Sequence, residues 1–287
     1  MRLDRIAVPV QASKRESVMR KQFAAVAMAT FFAGVAMSVA WADDIITKIQ
    51  KSGVLRVGVA PSPPDQSPNP DTGNYEGYNI DMGNQIAKIL NVKLEVVPAT
   101  WATLVSGLGA NQYDMILSNL YATPERALVV SFTQPYAYNG LEVMVRKDSP
   151  VKSLDELNSA DVTFSAMSGS VDAVYPGQLY PKSKTNALVS ENVAAPVQEV
   201  VAGRATAYMI DPTTYTILSA QNPQIANQTR VLNDADHLIK PVGLAYAVRP
   251  EDSHLLNFLN VFIQDRINNG DYKALRAKWL DQYANKK

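Results

Sequence analysis

Apolar positions follow three patterns along this chain. Residues 23–39, FAAVAMATFFAGVAMSV, form one unbroken apolar run. After it, short apolar runs alternate with stretches of helical spacing. Val54-Leu55-Arg56-Val57-Gly58-Val59 reads as a first strand, and residues 92–97 as a second. Between them Met82, Ile86, Ile89 and Leu90 fall on one helical face. The spacing predicts a further helix over 101–108 and a buried third strand at Met115-Ile116-Leu117. The order β-α-β-α-β means parallel strands joined by helical crossovers. A short helix over 43–51, closed by Gly53, precedes the first strand. The Pro-rich stretch PSPPDQSPNPDTGN follows that strand and reads as loop.

A second α/β series comes after a strand over 141–146. Ser153 with Glu156 three residues on is a capping box. Strands are expected at 162–164, 205–210, 231–233 and 243–248. Helices are expected at 171–175, 193–202 and 212–220, and two amphipathic helices, 253–270 and 272–283, close the chain. Glu142 and Arg146 are expected at the surface.

The stretch YDMILSNLYATPERALVVSFTQPY, residues 113–136, concentrates the chemistry. A buried strand ends in a polar loop. A helix then starts with Thr123 as N-cap, Pro124 at its first position and Glu125 in its first turn. Ligands of open α/β sheets bind beyond the carboxyl ends of the strands. Arg126 there is either a surface helix residue or a bidentate fork for a carboxylate.

Composition narrows the classes. The 287 residues carry 27 basic and 27 acidic side chains, 47% hydrophobic positions and no cysteine. No basic excess or patch supports a nucleic-acid partner. Thiol chemistry and disulfides are excluded, and with only His237 and His254 a metal site or cofactor is not expected. Arg20-Lys21, the apolar run and Ala40-Trp41-Ala42 have the three-part layout of a secretory signal, so residues 1–42 are expected to be removed. Met19 opens a conventional n-region and is a candidate start. The apolar run is short for a bilayer span, and the segment left after cleavage is mildly acidic.

The central stretch resembles the binding motif of the amino-acid-binding proteins of ABC importers, the bacterial extracellular solute-binding proteins of family 3. The matches are D-x-I-x-S-x-x-x-x-T-P-E-R followed by S-F-T-Q-P-Y. V-L-R-V-G-V, G-Y-N-I-D, residues 203–211 and N-N-G-D-Y with Lys278-Trp279 extend the resemblance in order along the chain. It implies an α/β, two-lobed periplasmic-binding-protein fold of type II, with two hinge strands and a ligand cleft between the lobes. Residues 43–138 plus 239–287 would form one lobe and 139–238 the other, with hinges near 137–141 and 233–241. The protein would be a periplasmic monomer that delivers an amino acid to ABC permease membrane subunits and catalyses nothing.

The resemblance also assigns roles. Arg126 would hold the ligand carboxylate, with Ser118, Asn119, Leu120, Tyr121 and Thr123 around it. Asn119 and Tyr121 stand where the family usually has small hydroxyl residues, so Ser118 and Thr123 are the expected side-chain contacts. Asp211 is expected to take the ammonium, its other reading being a helix N-cap before Pro212. Ser168 and Ser170 flank Gly169 at a strand end, either a plain turn or an anion contact. Trp101 is either a pocket wall or core.

Binders of basic amino acids in the family usually carry an acid soon after the first strand, where this chain has Ala60. An uncharged ligand is therefore expected, unless Asp65, Glu76 or Asp172 supplies a counter-charge from another direction. The alternative function is a cyclohexadienyl or arogenate dehydratase on the same scaffold, which needs a placed general acid.

Overall fold

A computed structural model describes residues 44–285, apart from Glu191 and Ala235. The expected signal segment lies outside the described residues.

Asp44 caps the first helix, Ile45–Ser52, by accepting from the backbone of Ile46 at 2.8 Å, and Gly53 ends it in the left-handed region at φ 72°. The first three α/β units follow the expected order. Strands β1 (Val54–Val59), β4 (Lys93–Pro98) and β5 (Met115–Tyr121) run parallel, with β1 in the middle. The Pro-rich loop holds two two-residue strands, β2 (Ser67–Pro68) and β3 (Tyr75–Glu76), paired with each other.

Strand β7 (Ala137–Arg146) pairs antiparallel with β12 (Ile239–Val248), and β12 pairs with β5. On its other side β7 pairs with β10 (Ala207–Ile210), which runs parallel to β8 (Thr163–Met167). The strand order is β4-β1-β5-β12-β7-β10-β8-β9, ending on Lys184–Leu188 as β9. Among the described residues, the β7–β12 ladder is where the two groups of strands pair. The register of β12 against β7 slips between Ile239 and Val242, and Lys240 there has φ 49°. Such a bulge bends the strand.

Both faces of the central strands are covered, which is why they read as apolar runs without alternation. Met115 and Leu117 pack into a core with Val57, Met82, Ile86, Tyr246 and Trp279. Ile116 and Leu120 face the opposite way, against Leu104, Leu108 and Tyr113. The middle of the chain repeats the arrangement, with Val143, Phe164 and Met209 on one face and Met144, Val197 and Tyr208 on the other.

Several expectations are corrected. The helix expected over 101–108 begins at Leu104, leaving Trp101 in the preceding turn. Glu142 is buried rather than exposed, opposite Ile210 in the ladder, and burial pushes its carboxyl above the usual range. β9 and the helix Pro223–Gln228 were not expected; β9 is a mostly exposed, polar strand without apolar alternation.

One polar cluster lies inside the first core. Asn79, fully buried, donates to Gln66 Oε1 and to Asn119 Oδ1, both at 2.7 Å, and accepts from Tyr246 at 2.7 Å. Tyr78 and Tyr136 also donate to Asn119 Oδ1. Removing one partner of a buried bond leaves the other unsatisfied. Asn79→Ala is therefore expected to lose about 2–4 kcal/mol of stability in denaturant melts, with an unchanged m-value.

Candidate functional site: a cleft between the two groups of strands

The carboxyl ends of β5, β8 and β10 converge on one cleft of about 700 Å³, counting its open mouth. The local sequence explains each contributor. After β5 the chain turns into the helix Pro124–Ala127, with Thr123 accepting from the Arg126 backbone at 3.4 Å. That cap points the Arg126 side chain into the cleft. After β10, Asp211 accepts from the backbone of Thr213 at 2.8 Å and Thr214 at 3.2 Å and starts the helix Pro212–Gln221. One carboxylate thus caps a helix and still lines the cleft.

The cleft brings together Trp101, Asn119, Arg126, Ser170 and Asp211. Four other candidates are not among its lining residues. Ser118 is buried and its hydroxyl accepts from Ala60 N at 3.0 Å, tying β5 to the end of β1. Leu120 packs in the core, and Thr123 is spent on the cap. Ser168 has its backbone tied to Leu188. Asn119 and Tyr121, rather than Ser118 and Thr123, line the cleft. The reason is strand geometry: side chains alternate, so 119 and 121 share a face that 118 does not. Tyr208, Asp172 and Thr214 complete the lining. Asp172 is one of the three expected alternative counter-charges; nothing in the sequence separates Tyr208 from an ordinary strand tyrosine.

Electrostatics sets the character of the site. The Arg126 guanidinium donates to Tyr121 O at 2.9 Å and to Gly169 O at 2.8 Å. Among the described residues it makes no ion pair, and burial pulls its pKa down. Burial pushes the Asp211 carboxyl up, against the backbone bonds that lower it. Asp172 is pushed up to about 6 by burial, although Met167 N donates to it at 2.7 Å and the Ser170 and Tyr208 hydroxyls bond to it. Asp65 lies just behind, 9% exposed, held by Asn119 Nδ2. Burial, followed by the nearby Asp211, pushes it up to about 7.

The two sides of the cleft meet at Gly169. Its φ is +82°, and a Cβ there would lie 2.4 Å from Ala102 Cα. No group of three or more His, Asp or Glu side chains among the described residues is placed to hold a metal.

A cleft at strand ends, with a free cation and a carboxylate lining it, defines a small-molecule binding protein of the two-lobed α/β type. The chain belongs to the bacterial extracellular solute-binding proteins, family 3, whose profile matches residues 55–282. The ABC transporter arginine-binding protein 1 of Escherichia coli is 26% identical over 206 residues, 72% of this chain and 82% of that protein. The cyclohexadienyl dehydratase of Pseudomonas aeruginosa is 24% identical over 240 residues, 82% of this chain and 86% of that protein. Among solved structures, the ancestral amino acid-binding protein AncCDT-1, a precursor of cyclohexadienyl dehydratase, superposes with TM-score 0.71 at 32% identity. It covers 82% of this chain and 99% of its own. No helix of the described residues is long and apolar enough to cross a membrane.

The raised carboxyls have a consequence for stability. Asp65 ionises at about 7 in the folded chain and near its ordinary 3.8 when unfolded. Between those values the folded state binds more protons than the unfolded one, so stability falls as pH rises. The penalty is absent below about pH 4 and complete above about pH 7, with Asp172 adding to it up to about 6. Without ligand, the melting temperature at pH 8 is expected to lie below that at pH 5, and Asp65→Asn is expected to narrow the gap. Calorimetric melts at the two pH values check this.

Proposed function

We propose that this protein captures a free amino acid outside the cytoplasm and delivers it to the membrane subunits of an ABC importer. The observation that carries the reading is the Arg126 guanidinium. It lines the cleft, half-buried, with carbonyls for hydrogen-bond partners and, among the described residues, no carboxylate within 4 Å. A desolvated charge without a counter-ion is unfavourable. A ligand carboxylate would supply that counter-ion through a bidentate contact. Asp211, from the other group of strands, would take the ammonium, and Trp101 and Tyr121 would wall the side chain.

In this reading residues 43–138 plus 239–287 form one lobe and 139–238 the other. The lobes would close about the crossing strands, with the bulge at Lys240 absorbing the bend. The working compartment would be the periplasm, reached through the segment 1–42, and the protein would act as a monomer. Relatives point the same way: the glutamine-binding protein of Geobacillus stearothermophilus is 30% identical over 209 residues, 70% of this chain and 76% of that protein.

A second reading, an enzyme resembling the cyclohexadienyl dehydratase, is favoured by Asp172. A cleft carboxyl held near 6 is protonated often enough to act as a general acid toward a leaving hydroxyl. A spectrophotometric assay with prephenate and arogenate separates the two. Turnover that disappears in Asp172→Asn would favour the enzyme.

Calorimetry against the free amino acids tests the transport reading. At least one is expected to bind, and Arg126→Ala is expected to weaken it by about 2–5 kcal/mol. A folded Arg126→Ala that binds within twofold of the wild type removes the assignment.

A further inference from the structure

Behind the cleft lies a second cavity that the reading above leaves unused. It encloses about 510 Å³, counting its mouth, and is lined by Asp65, Tyr78, Tyr136, Asn139, Tyr272 and Arg276, among others. The two spaces share no lining residue but meet at two hydrogen bonds. Asn119, on the cleft side, donates to Asp65 in the second cavity. Asn139, in the second cavity, donates to Asp211 on the cleft side. The partition between them is therefore two amide side chains wide.

Asp65 is the group without an explanation. It sits in the turn after β1, where Ser62 accepts from Asp65 N at 2.8 Å and Asp65 O accepts from Asn79 N at 2.9 Å. Its Oδ2 takes the Asn119 amide, and its Oδ1 is buried with no hydrogen-bond partner among the described residues. Carboxylates are rarely this buried without a paired charge. Arg276 lines the same cavity, but its side chain donates to Thr213 Oγ1 at 3.4 Å, and it forms no ion pair with Asp65 within 4 Å.

The walls suit a cation. The rings of Tyr78, Tyr136 and Tyr272 contact one another, with centroids 6.4, 5.5 and 5.7 Å apart. Aromatic faces beside a carboxylate attract ammonium and guanidinium groups. Two of these tyrosines direct their hydroxyls at Asn119 Oδ1, which orients the amide so that its nitrogen faces Asp65.

Charge balance points the same way. The charged residues lining the two cavities are Asp65, Asp172, Asp211, Arg126 and Arg276. With all of them ionised, the lining carries one negative charge in excess. A zwitterion with a neutral side chain leaves that excess in place. A ligand with one extra positive charge cancels it.

We propose that Asp65, backed by Tyr78, Tyr136 and Tyr272 and fixed by Asn119, forms a subsite for a distal ammonium or guanidinium group of the ligand. This rests on the amino-acid-binding reading and replaces the counter-charge that Ala60 lacks. The expectation of an uncharged ligand followed from Ala60 alone; Asp65 reaches the site from the far side of the Pro-rich turn. A cationic side chain would enter past Asn119 and displace the amide from Asp65.

The experiment compares charged ligands with uncharged ones of the same shape, by calorimetry on the wild type and on Asp65→Asn. Asparagine keeps an oxygen for the Asn119 amide and removes only the charge. Arginine is set against citrulline, and lysine against norleucine. The wild type is expected to prefer one cationic member over its partner by about a hundredfold, and Asp65→Asn to cut that preference by about tenfold or more while leaving the neutral member within about threefold. Tyr272→Phe, which keeps the ring, is expected to retain the preference. Citrulline or norleucine matching its charged partner in the wild type would overturn the subsite, since a proton on Asp65 would then be balancing the charge. An undiminished preference in a folded Asp65→Asn would overturn it as well. If neutral amino acids bind and no cationic one does, the subsite fails and the amino-acid reading stands. If no amino acid binds at all, that reading itself has failed.

Discussion

A guanidinium held partly out of water, hydrogen-bonded to carbonyls and without an ion pair among the described residues, is the constraint on which this structure turns. Arg126 gains two hydrogen bonds, to Tyr121 O and Gly169 O, yet neither partner carries a charge. Carbonyl dipoles compensate a buried cation only in part. The rest of the architecture puts the arginine in that position. The Thr123 cap sets its direction, Pro124 starts the helix, and β5 delivers both to the end of the sheet. The fold, in this sense, keeps a binding site charged in advance of its ligand. Pre-arranged charge of this kind costs stability in the empty state and is recovered on binding, because little has to reorganise when the partner arrives.

The carboxylates oppose it in a graded way. Asp211 is tied to two backbone amides and to the Asn139 side-chain amide, and so has a fixed position. Asp172 accepts from one backbone amide. Asp65 has one side-chain amide on one oxygen and, among the described residues, no partner on the other. The fewer the donors, the more easily a proton or an external cation competes for the group. This ordering gives each acid a different character within one small volume, although all three share the same side chain.

Much of the fold was legible because burial on both faces of the central strands produces apolar runs that composition alone reveals. Val57, Met115, Ile116 and Leu117 need no partner in the sequence to be recognised as core. Cap chemistry was legible for the same local reason, at Thr123 and Asp211. What escaped depended on neighbours far along the chain. β9 exists because β8 offers it an edge, and its own residues are polar and exposed. Glu142 is buried because β7 has partners on both sides. Ser118 matched a motif yet serves Ala60, 58 residues away, while Asn119 takes the cleft. A motif identifies a loop; the pleat decides which of its side chains face the ligand.

The absence of a side chain at Gly169 has a further implication for time rather than for affinity. Because nothing projects from that residue, the backbone of one wall approaches the Trp101–Ala102 backbone of the other almost to van der Waals contact. The mouth of the cleft is thus closed there by main chain against main chain, and no side chain is available to swing aside. A rotamer flip, which takes picoseconds to nanoseconds, cannot part that contact. In the hinged reading proposed above, it would part when β7 and β12 flex as a pair, a motion of the microsecond-to-millisecond class. Residence in the cleft would then be clocked by the crossing strands, not by the groups that grip the ligand. The bulge at Lys240, which takes no part in the proposed ligand contacts, would then be a place where exchange rate can change.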